Sequence, residues 1–288
     1  MTQGSSSMTH QSKFESDAPF FIPAVNVSSQ LHTFLPQDTS TKVEVLSNST
    51  LEDILHKGCK GVEYQPIIDI GNMTIFGYEG LARFYSTSGE EVSPEVIFAS
   101  LHKSPNLLFE YEYLCKQFQL EHAPAYTKVF INLDQDSFFS YSGNSKENPL
   151  LNLFIKYKDR LVVEITENSK IIDAIHSQKA ITVLAQNGIS TAIDDALKPN
   201  SIFSSSILLK VDFIKLDKYV VGRDYREKVH LMNYVYELVD HAHQMGKRVI
   251  LEGVENLNDL AFARDLCVDF VQGFHFRDKF KIVKTASN

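Results

Sequence analysis

No run of apolar residues in the 288-residue sequence is long enough to cross a bilayer, so no membrane-spanning helix is expected. Cysteine is scarce. Cys59, Cys115 and Cys267 are an odd number, widely spaced, with no CxxC pair. That argues against a disulfide framework and for reduced thiols in a cytoplasmic protein. The N-terminal stretch is polar and Ser-rich and lacks the basic-then-apolar order of a secretory signal. No Gly-rich phosphate loop follows an early strand, and no phosphate-receiver, haem or flavin sensor pattern precedes the periodic region. Positive charge is in deficit: 28 Lys and Arg against 36 Asp and Glu leave a net charge of −8. An acidic surface repels a polyphosphate backbone, so binding to polymeric nucleic acid is not expected. A small anionic nucleotide stays admissible, because bound cations invert the local field.

What is present is ordinary for a globular chain, 43% hydrophobic and 22% charged. The expected organisation is a polar, largely disordered tail over 1–47, a folded domain over 48–283 and a short tail over 284–288. Phe20, Phe21, Ile22 and Val25 form the apolar cluster of the first tail. Ser49-Thr50-Leu51-Glu52 reads as a capping box opening a short helix that stops near Gly58.

From Tyr64 onward, short β-branched or aromatic runs end near polar residues, and helical stretches usually follow. The runs are Tyr64–Ile70, Ile75–Phe84, Val129–Leu133, Leu161–Ile165, Thr191–Ile193, Phe213–Leu216, Arg248–Leu251 and Phe270–Phe276. Helical periodicity covers Pro94–Leu120, Ile171–Asn187 and Lys228–Met245. The first two runs are joined around Gly71-Asn72, which reads as a hairpin and makes one strand antiparallel. Eight strands with helical crossovers predict an α/β fold of TIM-barrel type, (β/α)8 with an irregular start. An open doubly wound sheet is the alternative.

The polar residues at the strand ends stand out as a set: Gln65, Glu79 with Arg83, Asn132, Glu164 with Glu167, Asp194-Asp195, Lys215 with Asp217, Glu252 with Glu255, and Gln272. Singly, a strand-end carboxylate is most often a helix cap or half of a salt bridge. In a barrel, however, strand ends at the C-terminal face share one mouth. Glu79, Glu164, Asp194, Asp195 and Glu252 would then crowd together with only Lys215 and Arg83 as nearby cations. Two carboxylates 4 Å apart repel by about 4 kcal/mol at an effective dielectric near 20. Such a set must take up protons or bind cations. Its donors are carboxylates and the Asn132 amide, with no His or Cys, which favours Mg²⁺ or Mn²⁺ over zinc.

The motifs resemble the EAL domain family. Tyr64-Gln65-Pro66-Ile67 followed by Glu79-Gly80-Leu81-Ala82-Arg83 is similar to the family's opening, with Gly where the family name has Ala. Phe130-Ile131-Asn132, Glu164-Ile165-Thr166-Glu167, Ile193-Asp194-Asp195, Ile214-Lys215-Leu216-Asp217, Glu252-Gly253-Val254-Glu255 and Gln272-Gly273-Phe274 follow in the family's order, between about Thr50 and Phe280. The resemblance implies a phosphodiesterase that uses two Mg²⁺ or Mn²⁺ ions to cut cyclic di-GMP to linear pGpG. It implies that Glu79, Asn132, Glu164 and Asp194 bind one ion and that Asp194 and Asp195 serve a second. Lys215 would orient the attacking water, and Glu252 would be ligand or general base. Gln65, Arg83 and Gln272 would contact the nucleotide, and Glu167 and Glu255 would anchor the loop.

The family usually continues its Asp-Asp with Phe-Gly-Thr-Gly and a Ser-rich turn; here the chain reads Ala196-Leu197-Lys198-Pro199-Asn200-Ser201. Glycine would allow positive φ there, and Pro199 restricts it. The resemblance implies that this loop links the metal site to a homodimer interface, so the departure bears on metal occupancy, dimer coupling and turnover. The alternative reading is therefore a module that holds cyclic di-GMP or a protein partner without cleaving it. A different metal-dependent barrel hydrolase is a third. Asp240-His241-Ala242-His243 is set aside as a metal site, because residues two apart do not share a helix face. Phe109–Tyr113 reads as a barrel-facing helix or partner surface, and Glu90-Glu91 as a solvated helix start.

Overall fold

The computed structural model describes residues 45–141, 148–166, 171–199, 205–222 and 226–285. All of them belong to one compact unit, Val43–Asn288. The expectations for residues 1–44 lie outside the described residues. Ten strands form one sheet: β1 (Cys59–Asp69), β2 (Ile75–Tyr85), β3 (Glu91–Val92), β4 (Lys128–Asn132), β5 (Leu161–Thr166), β6 (Ser190–Ala196), β7 (Phe213–Leu216), β8 (Arg248–Leu251), β9 (Phe270–Val271) and β10 (Lys281–Lys284). The order β1-β9-β8-β7-β6-β5-β4-β2 closes on itself through β1–β2, giving an eight-stranded barrel. Neighbours are parallel from β2 through β9, and β1 is antiparallel to both β2 and β9. The (β/α)8-type barrel with one reversed strand is therefore the fold. The reversal is made by the tight turn after Asp69, whose Oδ1 accepts from the backbone of Gly71 and Asn72 at 2.9 and 3.2 Å. Among the described residues, no helix is long and apolar enough to cross a membrane.

Side chains alternate across a strand, so each barrel strand sends every second residue inward. The lower interior is an apolar plug of Ile67, Phe130, Val162, Ala192, Phe213, Ile250 and Phe270. Phe76 stacks on Phe270 with ring centroids 4.2 Å apart. The alternate residues, including Val129, Ile131, Val163, Ile193, Ile214, Val249 and Leu251, face outward into the larger core shared with the helices. A third cluster packs the helices Asn48–Lys57, Pro94–Leu101 and Pro105–Glu121 around Phe84.

Several expectations change in detail. The first helix begins at Asn48 and is capped by Ser47, whose Oγ accepts from Thr50 N at 3.2 Å, so the box at Ser49 is not the cap. Pro94–Leu120 is two helices: Pro105 disfavours helical geometry at Ser104, which is extended. Glu91 lies in strand β3, not in a helix start. The last barrel strand stops at Val271, and Phe274–Lys279 is a 3-10 helix. Order continues past 283: Lys284 is in β10, and Thr285 N donates to Lys60 O at 2.8 Å.

Candidate metal centre

The plug locates the site. Two residues beyond each plug member toward the mouth, on the same inward face, stands a polar residue. Phe130 is followed by Asn132, Val162 by Glu164, Ala192 by Asp194, Phe213 by Lys215, Ile250 by Glu252 and Phe270 by Gln272. On the reversed strand the order inverts, and Gln65 precedes Ile67. Glu79 joins them from β2, paired in register with Gln65. Together with Leu81, Lys218, Glu255 and Phe274, most of these residues line a cavity of about 390 Å³.

At its floor Lys215 is fully buried. Its Nζ lies 2.7 Å from Glu164 Oε1, 2.8 Å from Glu252 Oε1, 2.9 Å from Asp194 Oδ1 and 3.4 Å from Glu79 Oε2. Asn132 Nδ2 donates to Glu79 Oε1 at 3.0 Å, and Gln272 Nε2 donates to Glu79 Oε2 at 2.6 Å. Asp195 would point away from Asp194 in a regular strand. Two devices bring it round. β6 advances three positions, from Ile193 to Ala196, where β7 advances two, from Ile214 to Leu216, and Asp195 adopts φ 57° in the left-handed region. One oxygen each from Glu79, Glu164 and Asp194 lie within 4.8 Å of one another, as do one each from Asp194, Asp195 and Glu252.

Burial and mutual repulsion raise Glu164 well above the usual carboxylate range, and burial raises Asp194 despite Lys215. Burial also pushes Glu252 up to about 8, against the pull of Lys215. Solvent still reaches 19% of its side chain and softens that push. At Glu79 burial is outweighed by the Lys215 charge and by hydrogen bonds, from Gln272 foremost, and the carboxyl is held low. Burial works to discharge Lys215, but the surrounding carboxylates hold its ammonium well above the ordinary lysine range.

The residues fit a divalent ion. Neither oxygen of Glu164 nor Oδ1 of Asp194 has a well-aligned hydrogen-bond donor although all three are buried; Lys215 is close, yet poorly directed. Buried carboxylate oxygens left in that condition are costly, and a cation ligated by oxygen satisfies them.

The other expected residues divide. Glu255 reaches the cavity lining, and its backbone N donates to Asp259 Oδ2 at 3.0 Å. Glu167 lies outside the described residues. Arg83 is not among the residues lining the cavity: its NH2 donates to Glu63 Oε1 at 3.0 Å, and Nε lies 3.4 Å from Glu91 Oε1. Gln65 Nε2 donates to the same Glu63 oxygen at 2.9 Å. Sequence reasoning missed Glu63, whose only signal is its place two residues before Gln65. It also missed Lys218 and Phe274 as rim residues; Phe274 is 58% exposed. In the helix that carries His241 and His243, His243 Nε2 meets Asp269 Oδ2 at 2.8 Å.

A parallel barrel closed by one reversed strand, with a cluster of carboxylate oxygens at its mouth, defines a barrel with a candidate metal site. The EAL domain model matches residues 48–278, and the chain belongs to the EAL domain family. It is 26% identical over 242 residues to the probable cyclic di-GMP phosphodiesterase PdeG of Escherichia coli, covering 80% of this chain and 47% of that protein. It is also 26% identical over 221 residues to the signalling protein YkoW of Bacillus subtilis, covering 75% and 27%. The chain thus matches less than half the length of these relatives. The cGMP-bound EAL enzyme Bd1971 superimposes with TM-score 0.65 at 23% identity, covering 80% of this chain and 64% of that one. The manganese and cyclic di-GMP complex of Klebsiella pneumoniae BlrP1 gives 0.60 at 23%, covering 77% and 56%.

Proposed function

We propose that this chain hydrolyses cyclic di-GMP to linear pGpG with divalent metal, Mg²⁺ or Mn²⁺. The observation that carries the reading is the meeting of Glu79, Glu164, Asp194 and Glu252 around one buried ammonium, with Asp195 beside Asp194 and Glu252, in two overlapping groups of three oxygens. The relatives named as cyclic di-GMP phosphodiesterases support the substrate.

Glu79, Asn132, Glu164 and Asp194 would hold one ion, and Asp194, Asp195 and Glu252 a second. When bound, such ions supply Lewis acidity at phosphoryl oxygens and an acidified water. The protein's own groups do the rest. Lys215, pinned by four carboxylates, directs an N–H toward the incoming water and offsets negative charge as phosphorus is attacked. Glu252 would be a ligand of the second ion or the base that takes a proton from the attacking water. Gln272 and Asn132 hold Glu79 in one orientation. Gln65 and Gln272 line the cavity and offer amide groups to a nucleotide, and the exposed Phe274 ring offers a face to its base. Arg83 reaches a phosphate only after leaving Glu63.

Incubation of the purified protein with cyclic di-GMP and Mg²⁺ or Mn²⁺, with product identification, tests this. Linear pGpG is expected, and its absence with both ions rejects the enzyme. One observation bears on a second reading, a cyclic di-GMP receptor: Asp195 is already paired with Lys198. Calorimetric binding without cleavage would select it.

A further inference from the structure

Lys198 stands where it can hold a site that a cation is meant to fill. Its Nζ lies 2.7 Å from Asp195 Oδ2. The contact is prepared by the backbone. Asp195 and Leu197 have φ 57° and 68°, and Lys198 N donates to Asp195 O at 3.1 Å, folding the chain back so that a residue three positions on returns to the carboxylate. Asp195 is also one of the three residues whose oxygens lie within 4.8 Å of one another on the Asp194–Glu252 side of the mouth.

We infer that Lys198 is an internal competitor for the second divalent ion: its ammonium occupies Asp195 when the ion is absent and is displaced when the ion binds. The inference rests on the metal-dependent reading above. An ammonium 2.7 Å from a carboxylate oxygen and a divalent ion ligated by the same carboxylate repel each other, so each weakens the other's hold on Asp195. The two lysines of the site differ in their freedom to yield. Lys215 is buried and tied to four carboxylates, whereas 49% of the Lys198 side chain is exposed. Of the two, the half-exposed Lys198 ammonium is the one an arriving ion can displace toward water. The pair thus raises the ion concentration needed to fill the second position, while the Glu79, Glu164 and Asp194 position meets the Lys198 charge only through Asp194.

Mn²⁺ titration of the full chain by calorimetry, with free Mn²⁺ followed by electron paramagnetic resonance, tests this in wild type, Lys198→Met and Lys198→Arg. Circular dichroism verifies that each variant is folded. Lys198→Met should lower the apparent Kd of the weaker ion about tenfold by removing one nearby positive charge, with a smaller effect on the tighter ion. Lys198→Arg keeps the charge and should behave as wild type. Two ions bound alike by wild type and Lys198→Met, or a weaker second ion in Lys198→Met, overturns the competitor role and leaves the metal-dependent reading standing. No Mn²⁺ bound by either folded chain overturns both.

Discussion

Gln272 donates to Glu79 Oε2 at 2.6 Å although the two residues lie 193 positions apart. The bond spans the seam where the barrel closes, with β1 between the two strands that carry them. Gln272 Nε2 also lies 3.4 Å from Gln65 Oε1, so one amide touches the last, first and second strands of the closed ring. The carboxylate that opens the acidic cluster is therefore aimed by the far end of the chain.

Replacing Gln272 with Ala should free Glu79 to rotate and leave its buried oxygen without a donor. A hydrogen bond to a buried charged group is worth about 1.5–3 kcal/mol. A fall in stability of that order and a weaker first metal ion are expected in urea denaturation and Mn²⁺ titration. Unchanged metal affinity would show that Asn132 alone orients Glu79.

Lys215 is the permanent cation of an otherwise acidic floor. Lys215→Met should destabilise the metal-free protein by about 3–5 kcal/mol, because it strands buried carboxylates without their partner. Added Mn²⁺ should recover much of the loss in melting temperature, and hydrolysis should stay abolished. A variant as stable as wild type in EDTA would contradict the reading of this ammonium as the cluster's counter-ion.

The raised carboxyls give a pH dependence with a definite sign. Glu252 titrates near 8 in the folded, ion-free protein against 4.5 for an ordinary Glu, and Glu164 and Asp194 are raised too. The folded state then holds more protons than the unfolded chain between about pH 4.5 and 8. Stability from these groups is full below that window and is lost as pH rises through it. The melting temperature of EDTA-treated protein should fall from pH 5 to pH 8.5, and Mn²⁺ should bind more tightly over the same rise with release of protons. Differential scanning calorimetry in both conditions checks this; a metal-free curve that climbs with pH would refute it.

Gly273 turns the chain out of β9 with φ 156°, and a Cβ there would come within 2.2 Å of Val254 O and 2.4 Å of Val254 N. Gly273→Ala cannot relax by moving a side chain, since both neighbours are backbone. A loss of stability above about 1 kcal/mol is expected, together with displacement of Gln272 and weaker nucleotide binding. Denaturation and calorimetry with cyclic di-GMP would register both.

The barrel and most of the acidic cluster could be read because the interior repeats with period two: an apolar residue low in the strand and a polar one two places higher. Phe213 and Lys215, or Val162 and Glu164, show the pattern in a single strand. What escaped depends on geometry that residue order does not encode. The seat of Lys198 needs positive φ at Asp195 and Leu197, neither of which is glycine. The hold of Glu63 on Arg83 depends on the register of β1 against β2, in which Gly61, not Glu63, is the residue opposite Arg83. The helices Gln135–Ser140 and Pro149–Tyr157 are too short for periodicity to declare them. The break at Ser104-Pro105 is written in the sequence, because a proline disfavours helical geometry at the residue before it.

Strand β1 has different partners along one flank: β9 beside Ile68 and Asp69, and β10 beside Gly61 through Tyr64. A truncation before Lys281 would leave that half of β1 with bare amide and carbonyl groups. Such an exposed edge invites sticking between copies. A fusion joined directly after Thr285 would emerge beside Lys60. Engineered versions of this chain should therefore keep their last strand and carry any label beyond it on a spacer.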